Sequence, residues 1–263
     1  MHHYGAEVRI AREAAGMTCQ ELGDLANVDK STVSRIEGGF TAPDEHFARV
    51  CAERFNNPWF LRFWKDSRTW DALPASLQEF TVYEQQAVTL WSFEHSLIPG
   101  LLQTEDYARS VIEKAMDMTP GQVPERVRLR LEKQAVLGRE VPPRYWVLID
   151  QQALEREVAA AKIMAEQLRH LAAMARRPNI TVQVVPHRGM TGAHTLLSGA
   201  FNVAQTNDTI VAYVNHAADS MTTDSPAVVA MLTSRFDALR TEAHKGSESL
   251  ALIEEMADRY DGA

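Results

Sequence analysis

The chain has 263 residues, of which 45% are apolar and 24% charged, with two cysteines, Cys19 and Cys51. That length suggests about two domains, and the balance excludes a disordered, collagen-like or coiled-coil chain. Two thiols cannot build a disulfide framework, which fits a reducing cytoplasm; without a basic region followed by an apolar run, or any apolar run of about 18 residues, no leader peptide, membrane span or membrane partner is expected. The net charge of −8 counts against non-specific binding of nucleic acid. It is unevenly spread, however. Residues 1–70 carry 9 Lys+Arg and 10 Asp+Glu, and the remainder carries 18 and 25. The acidity therefore sits in the C-terminal part, and a local basic face remains open to the N-terminal part.

The first seventy residues read as five short helices. Val8, Ala11 and Ala15 share one face of the first, from about Tyr4 to Ala15, and Gly16 stops it. Thr18-Cys19-Gln20-Glu21 is a capping box for a two-turn second helix with Leu22, Leu25 and Ala26 as its buried side. Asn27-Val28 makes a tight connection, since Asn tolerates a left-handed backbone. Asp29 caps a third helix, Lys30 to Glu37. Val33 and Ile36 point inward there and Lys30, Ser31, Thr32, Ser34 and Arg35 face out. Asp44 opens a fourth helix with Phe47, Val50, Cys51 and Phe55 on its apolar side. Pro58 opens a fifth, where Trp59, Phe60, Phe63 and Trp64 suit either core packing or a junction between domains.

Two short helices joined by a tight turn, the second polar on its outer face, describe a helix-turn-helix. The segment REAAGMTCQELGDLANVDKSTVSRIEGGFTAP, Arg12 to Pro43, closely resembles the Xre-type, phage-repressor-like DNA-binding domain. The resemblance implies a domain over residues 1–72 whose third helix lies in the major groove of double-stranded DNA, with Lys30, Ser31, Thr32, Ser34 and Arg35 as the binding residues. Arg35 has the fork geometry to pair with guanine, and Lys30 the reach for guanine or phosphate. The family pattern also implies a structural ion pair between Arg12 and Glu37. Cys19 and Phe40 depart from the pattern, at places where phosphate-contacting Gln and a basic residue are usual, which implies weaker anchoring. Cys19 lies near a helix N-terminus, which can lower a thiol pKa; the plainer reading is a tolerated small residue.

Residues 76–94 read as a long helix, with Val82, Ala87, Val88 and Trp91 at rough helical spacing. Pro99-Gly100 breaks the chain and Thr104 caps the next helix, with Glu105 and Asp106 at its positive end. Val123–Leu137 reads as a helix with Arg126, Arg128, Arg130 and Lys133. Glu125 and Glu132 dilute that charge, so it reads as a solvated helix rather than a nucleic-acid face. Strands are expected at 145–149, 180–185, 199–204 and 209–214, and helices from Pro226 to Leu239 and over 247–260. The fold class expected is thus an all-α N-terminal domain of five helices followed by an α+β domain with a small mixed sheet. The segment IPGLLQTEDYAR, with RLEKQAVLGRE, EQLRHL and ITVQVVP, resembles the C-terminal domain of actinobacterial WhiJ-like proteins over about residues 76–260.

No phosphate loop, zinc-protease, nucleophile-elbow, paired-cysteine or dinucleotide motif occurs, so no enzyme, cofactor or metal is expected. The one polar cluster that suggests a ligand is His187, Arg188, His194, Asn215, His216 and Asp219, in loops after strands. Together these readings imply a cytoplasmic transcription regulator that binds an operator as a homodimer, with a regulatory or dimerising C-terminal domain. The alternative, implied by the WhiJ-like resemblance, is an antitoxin-like component whose C-terminal domain binds a small partner protein encoded nearby.

Overall fold

A computed structural model describes residues 2–38, 41, 43–70, 75–115, 120–187, 199–215 and 220–262. The chain divides into two compact units, Met1–Ala75 and Ser76–Ala263.

The first unit is helical: α1 His2–Ala14, α2 Cys19–Leu25, α3 Lys30–Glu37, α4 Glu45–Arg54 and α5 Trp59–Trp70. Its core joins Tyr4 and Val8 of α1, Leu22 of α2, Val33 and Ile36 of α3, Phe47 and Cys51 of α4, and Phe60 and Trp64 of α5. Each such side chain contributes about 1.5–3 kcal/mol on burial. The aromatic residues of α5 are part of this core. Tyr4 stacks on Trp59 at 5.8 Å and meets Phe60 edge-on at 5.7 Å, and Trp64 donates its indole N–H to the Pro43 carbonyl at 2.9 Å. Leu25, expected on the buried side of its helix, is instead 49% exposed. The inward stripe runs instead through Leu22, Gly23 and Ala26, which leaves Leu25 to one side.

The second unit contains α6 Ala75–Gln86, β1 Thr89–Glu94, α7 Glu105–Glu113, α8 Val123–Lys133, β2 Arg144–Asp150, α9 Gln151–Glu155, α10 Ala161–Ala175, β3 Ile180–Val185, β4 Phe201–Gln205, β5 Ile210–Val214, β6 Met221–Thr223, α11 Pro226–Glu242 and α12 Gly246–Asp261. The strands form one mixed sheet in the order β3-β2-β1-β4-β5-β6. Strands β3, β2 and β1 run parallel, and β4, β5 and β6 join antiparallel. Helix α11 covers one face, packing Leu232 and Phe236 near Phe93, Leu148 and Phe201. Helices α6, α7, α10 and α12 supply the apolar side chains on the other.

The long helix expected over residues 76–94 stops at Gln86, and Thr89–Glu94 is a central strand with neighbours on both sides. Ala87, Val88 and Trp91 mimic helical spacing, but Thr89 to Glu94 alternates between the two faces, with Phe93 in one core and Leu90 in the other. Long-range pairing settles such an ambiguous run in favour of the strand. The cation-bearing helix likewise ends early, at Lys133, and continues as a 3₁₀ segment from Gln134 to Gly138.

Candidate nucleic-acid interface

Helices α2 and α3 are held at a fixed angle by local chemistry. The Thr18 hydroxyl accepts from the Glu21 amide at 3.2 Å, and the Glu21 carboxylate accepts from the Thr18 amide at 2.7 Å, which completes the capping box. At the turn, Asn27 takes φ 53°, the left-handed region that Asn tolerates. Gly23 lets the turn close: a Cβ there would sit 2.5 Å from the Val28 carbonyl oxygen. Asp29 then starts α3. Its Oδ1 accepts from the Thr32 amide and from the Ser31 hydroxyl, both at 2.7 Å. These bonds hold the Asp29 carboxyl below its ordinary value, the Ser31 hydroxyl first. The signal for the Ser31 bond in the sequence is the spacing of Asp and Ser two residues apart.

The outward face of α3 is as expected for Lys30, Ser31, Ser34 and Arg35, which are all exposed, while Thr32 is half-buried and Val33 and Ile36 are buried. Lys30 and Arg35 make no ion pair and no side-chain hydrogen bond among the described residues. Their charges are therefore available to a ligand, and Arg35 presents an unspent fork of N–H donors.

The expected pair of Arg12 and Glu37 is present and bidentate. Arg12 Nε and Nη2 donate to the two Glu37 oxygens at 2.5 and 3.0 Å, and Nη1 donates to the Met17 carbonyl at 2.6 Å. The two side chains are 10% and 7% exposed. The bonds to Glu37 raise the Arg12 pKa above its ordinary value. This pair ties the end of α3 to α1, so the outward face is a rigid platform. The Cys19 thiol points into the same cluster, 3.8 Å from a Glu37 oxygen. Cys51 is buried, and desolvation pushes its thiol up to about 12. Phe40 lies outside the described residues.

Of the polar cluster in the second unit, Arg188, His194, His216 and Asp219 lie outside the described residues. His187 follows β3 and Asn215 follows β5. The two strands run the same way, so both residues leave the same edge of the sheet, but four strand positions separate them, about 19 Å. His187 lies 3.8 Å from the Glu155 carboxylate, and Asn215 accepts from Ser220 at 3.1 Å. No group of three or more His, Cys, Asp or Glu among the described residues is arranged to hold a metal ion. Among them, too, no helix is long and apolar enough to cross a membrane.

The capped two-helix turn with its outward cationic face defines a helix-turn-helix protein, and residues 3–56 match the family described as a helix-turn-helix domain. Residues 77–255, well over half of the chain, match the family described as a domain of unknown function (DUF5753), and the chain belongs to that family. No curated protein and no solved structure matches the chain.

Proposed function

We propose that the chain is a sequence-specific DNA-binding transcription regulator of the Xre type, acting in the cytoplasm without catalysis. The observation that supports this reading is α3 itself: it is capped, bolted to α1 by Arg12 and Glu37, and presents Lys30, Ser31, Ser34 and Arg35 outward with both charges unspent. In a major groove, Arg35 would pair with guanine O6 and N7, Lys30 would reach guanine or phosphate, and the short serines would allow close approach. One such module gives limited affinity, so the chain would bind as a homodimer to two half-sites about 34 Å apart. The C-terminal domain, on its WhiJ-like resemblance, would supply the dimer contact or receive a signal.

Footprinting of the purified protein on DNA upstream of its own gene, at two salt concentrations, tests this. A symmetric protected site that Arg35→Ala abolishes is expected. A folded protein that protects nothing at either salt concentration would refute autonomous operator binding.

A further inference from the structure

Helix α8 carries four cations, and they do not face the same way. Arg128 is exposed and committed to Glu125 at 2.7 Å and to Glu132. Lys133 pairs with Glu84 at 3.1 Å. The other two, Arg126 and Arg130, lie one turn apart on the stripe that carries the buried Val123 and Val127. Neither forms an ion pair among the described residues. Arg130 reaches over Gly100, where a Cβ would lie 2.9 Å from its Nη1. That Nη1 donates to Gln103 at 2.9 Å, the one side-chain hydrogen bond Arg130 makes among the described residues, out of five available donors. Arg126 makes none, and its Nε is buried.

The surroundings compensate these two charges only in part. Desolvation lowers the pKa of both, and mutual repulsion lowers that of Arg126 further. Glu94 and Glu84 are the carboxylates within electrostatic reach of Arg130. Glu84 is already paired with Lys133. The Glu94 side chain has no hydrogen-bonding partner among the described residues, and burial pushes its carboxyl up to about 7, so at neutral pH it offers only part of a counter-charge. Glu94 and Ser92 are alternate residues of β1 and share a face of the sheet. There Ser92 bonds Tyr145 at 2.9 Å and also Asn202, a polar patch in an otherwise apolar layer. Two neighbouring, half-buried guanidinium groups with no ion pair and only one side-chain hydrogen bond among the described residues are costly for a fold that has no use for them.

We propose that Arg126 and Arg130 form the receptor of a small-molecule site on the inner side of α8, taking a carboxylate or phosphate group carried by a small metabolite. Two planar forks match the oxygens of such an anion bidentately, and protonated Glu94 adds a donor. The partner is a small molecule rather than a nucleic-acid backbone, because the free cations turn inward and the outward one is already paired. The site does not depend on the DNA-binding reading.

The test uses the full chain at constant ionic strength, with inorganic phosphate and succinate as probes and chloride as the control anion. Titration calorimetry and thermal unfolding are expected to show saturable binding of at least one probe, and which one binds identifies the group. Arg126→Gln and Arg130→Gln are each expected to weaken that binding about tenfold or more, and Arg128→Gln to leave it unchanged. A second measurement separates a binding role from a structural one. Without anion, Arg126→Met removes an uncompensated cation, so the thermal midpoint is expected to hold or rise. Absence of saturable binding of both probes, unaltered binding by the Arg126 and Arg130 variants, or a lowered midpoint in anion-free Arg126→Met would each overturn the proposal.

Discussion

Replacing Arg12 by Met would leave the Glu37 carboxylate without its two charge-assisted bonds, and the Met17 carbonyl without its donor. With side chains only 10% and 7% exposed, solvent can do little to compensate. Breaking a buried pair of this kind costs about 3–5 kcal/mol. A helical unit of this size has a total stability on the order of 4–10 kcal/mol, so the substitution removes a large part of it. The double variant Arg12→Met/Glu37→Leu takes both charges away and is expected to recover most of the loss, because an apolar pair of similar volume avoids the stranded carboxylate. Native-state hydrogen exchange on the full chain reads this directly, with amides of α1 and α3 as reporters and those of the β1–β2 pair as internal reference. Protection of α1 and α3 should fall at least tenfold in Arg12→Met, a factor that corresponds to about 1.4 kcal/mol. A smaller fall, or a double variant no better protected than the single one, would refute the reasoning.

Gly5→Ala would place a Cβ 2.2 Å from the Ile36 carbonyl oxygen and 2.8 Å from that of Glu37; overpacking at a backbone contact is expected to cost about 1–3 kcal/mol, and an unshifted first transition in calorimetry would refute it. Arg35→Ala is expected to cost about 1–3 kcal/mol at one base position and to relax preference there, measured by binding to a set of single-base operator variants; equal losses on every variant would place Arg35 on phosphate instead. Glu94, with its carboxyl pushed from 4.5 up to about 7, holds its proton in the folded state where the unfolded chain releases it. Its contribution to stability is therefore lost as pH rises between those values, by up to about 3 kcal/mol. Glu94→Gln should accordingly unfold at higher denaturant than the parent at pH 8 and not at pH 5, and identical profiles for the two proteins would sink the assignment.

What could be read in advance followed from how local each feature is. Thr18 and Asp29 cap amides three residues on and Asn27 acts through its own backbone angle, so the α2–α3 turn was legible, and with it the outward placement of Lys30, Ser31, Ser34 and Arg35. Glu37 and Arg12 were joined through a resemblance that spans their 25-residue separation, not through periodicity. Strand β1 was not legible, because its identity depends on β2 and β4, more than fifty and a hundred residues further along. The inward turn of Arg126 and Arg130 was hidden for a similar reason. Charge counts along a helix register the cations, but only the stripe shared with Val123 and Val127 separates them from Arg128. His187 and Asn215 both lie in loops after strands, which in sequence suggests one cluster, but the insertion of β2, β1 and β4 between β3 and β5 sets them apart.

The strand order also fixes when each half of the molecule can exist. Strand β1 needs β2 on one side and β4 on the other, and Ser92 meets Asn202 across 110 residues of chain. At synthesis rates of about 5–20 residues per second, β1 therefore waits on the order of ten seconds for its last neighbour. Among the described residues, the core of the helical unit draws on side chains between Tyr4 and Trp64, whose contacts are mostly local and close fast. On the ribosome, the platform that carries Arg35 is thus complete well before the sheet that follows it, and a nascent chain passes through a stage with a finished helical unit and an open, edge-exposed β1.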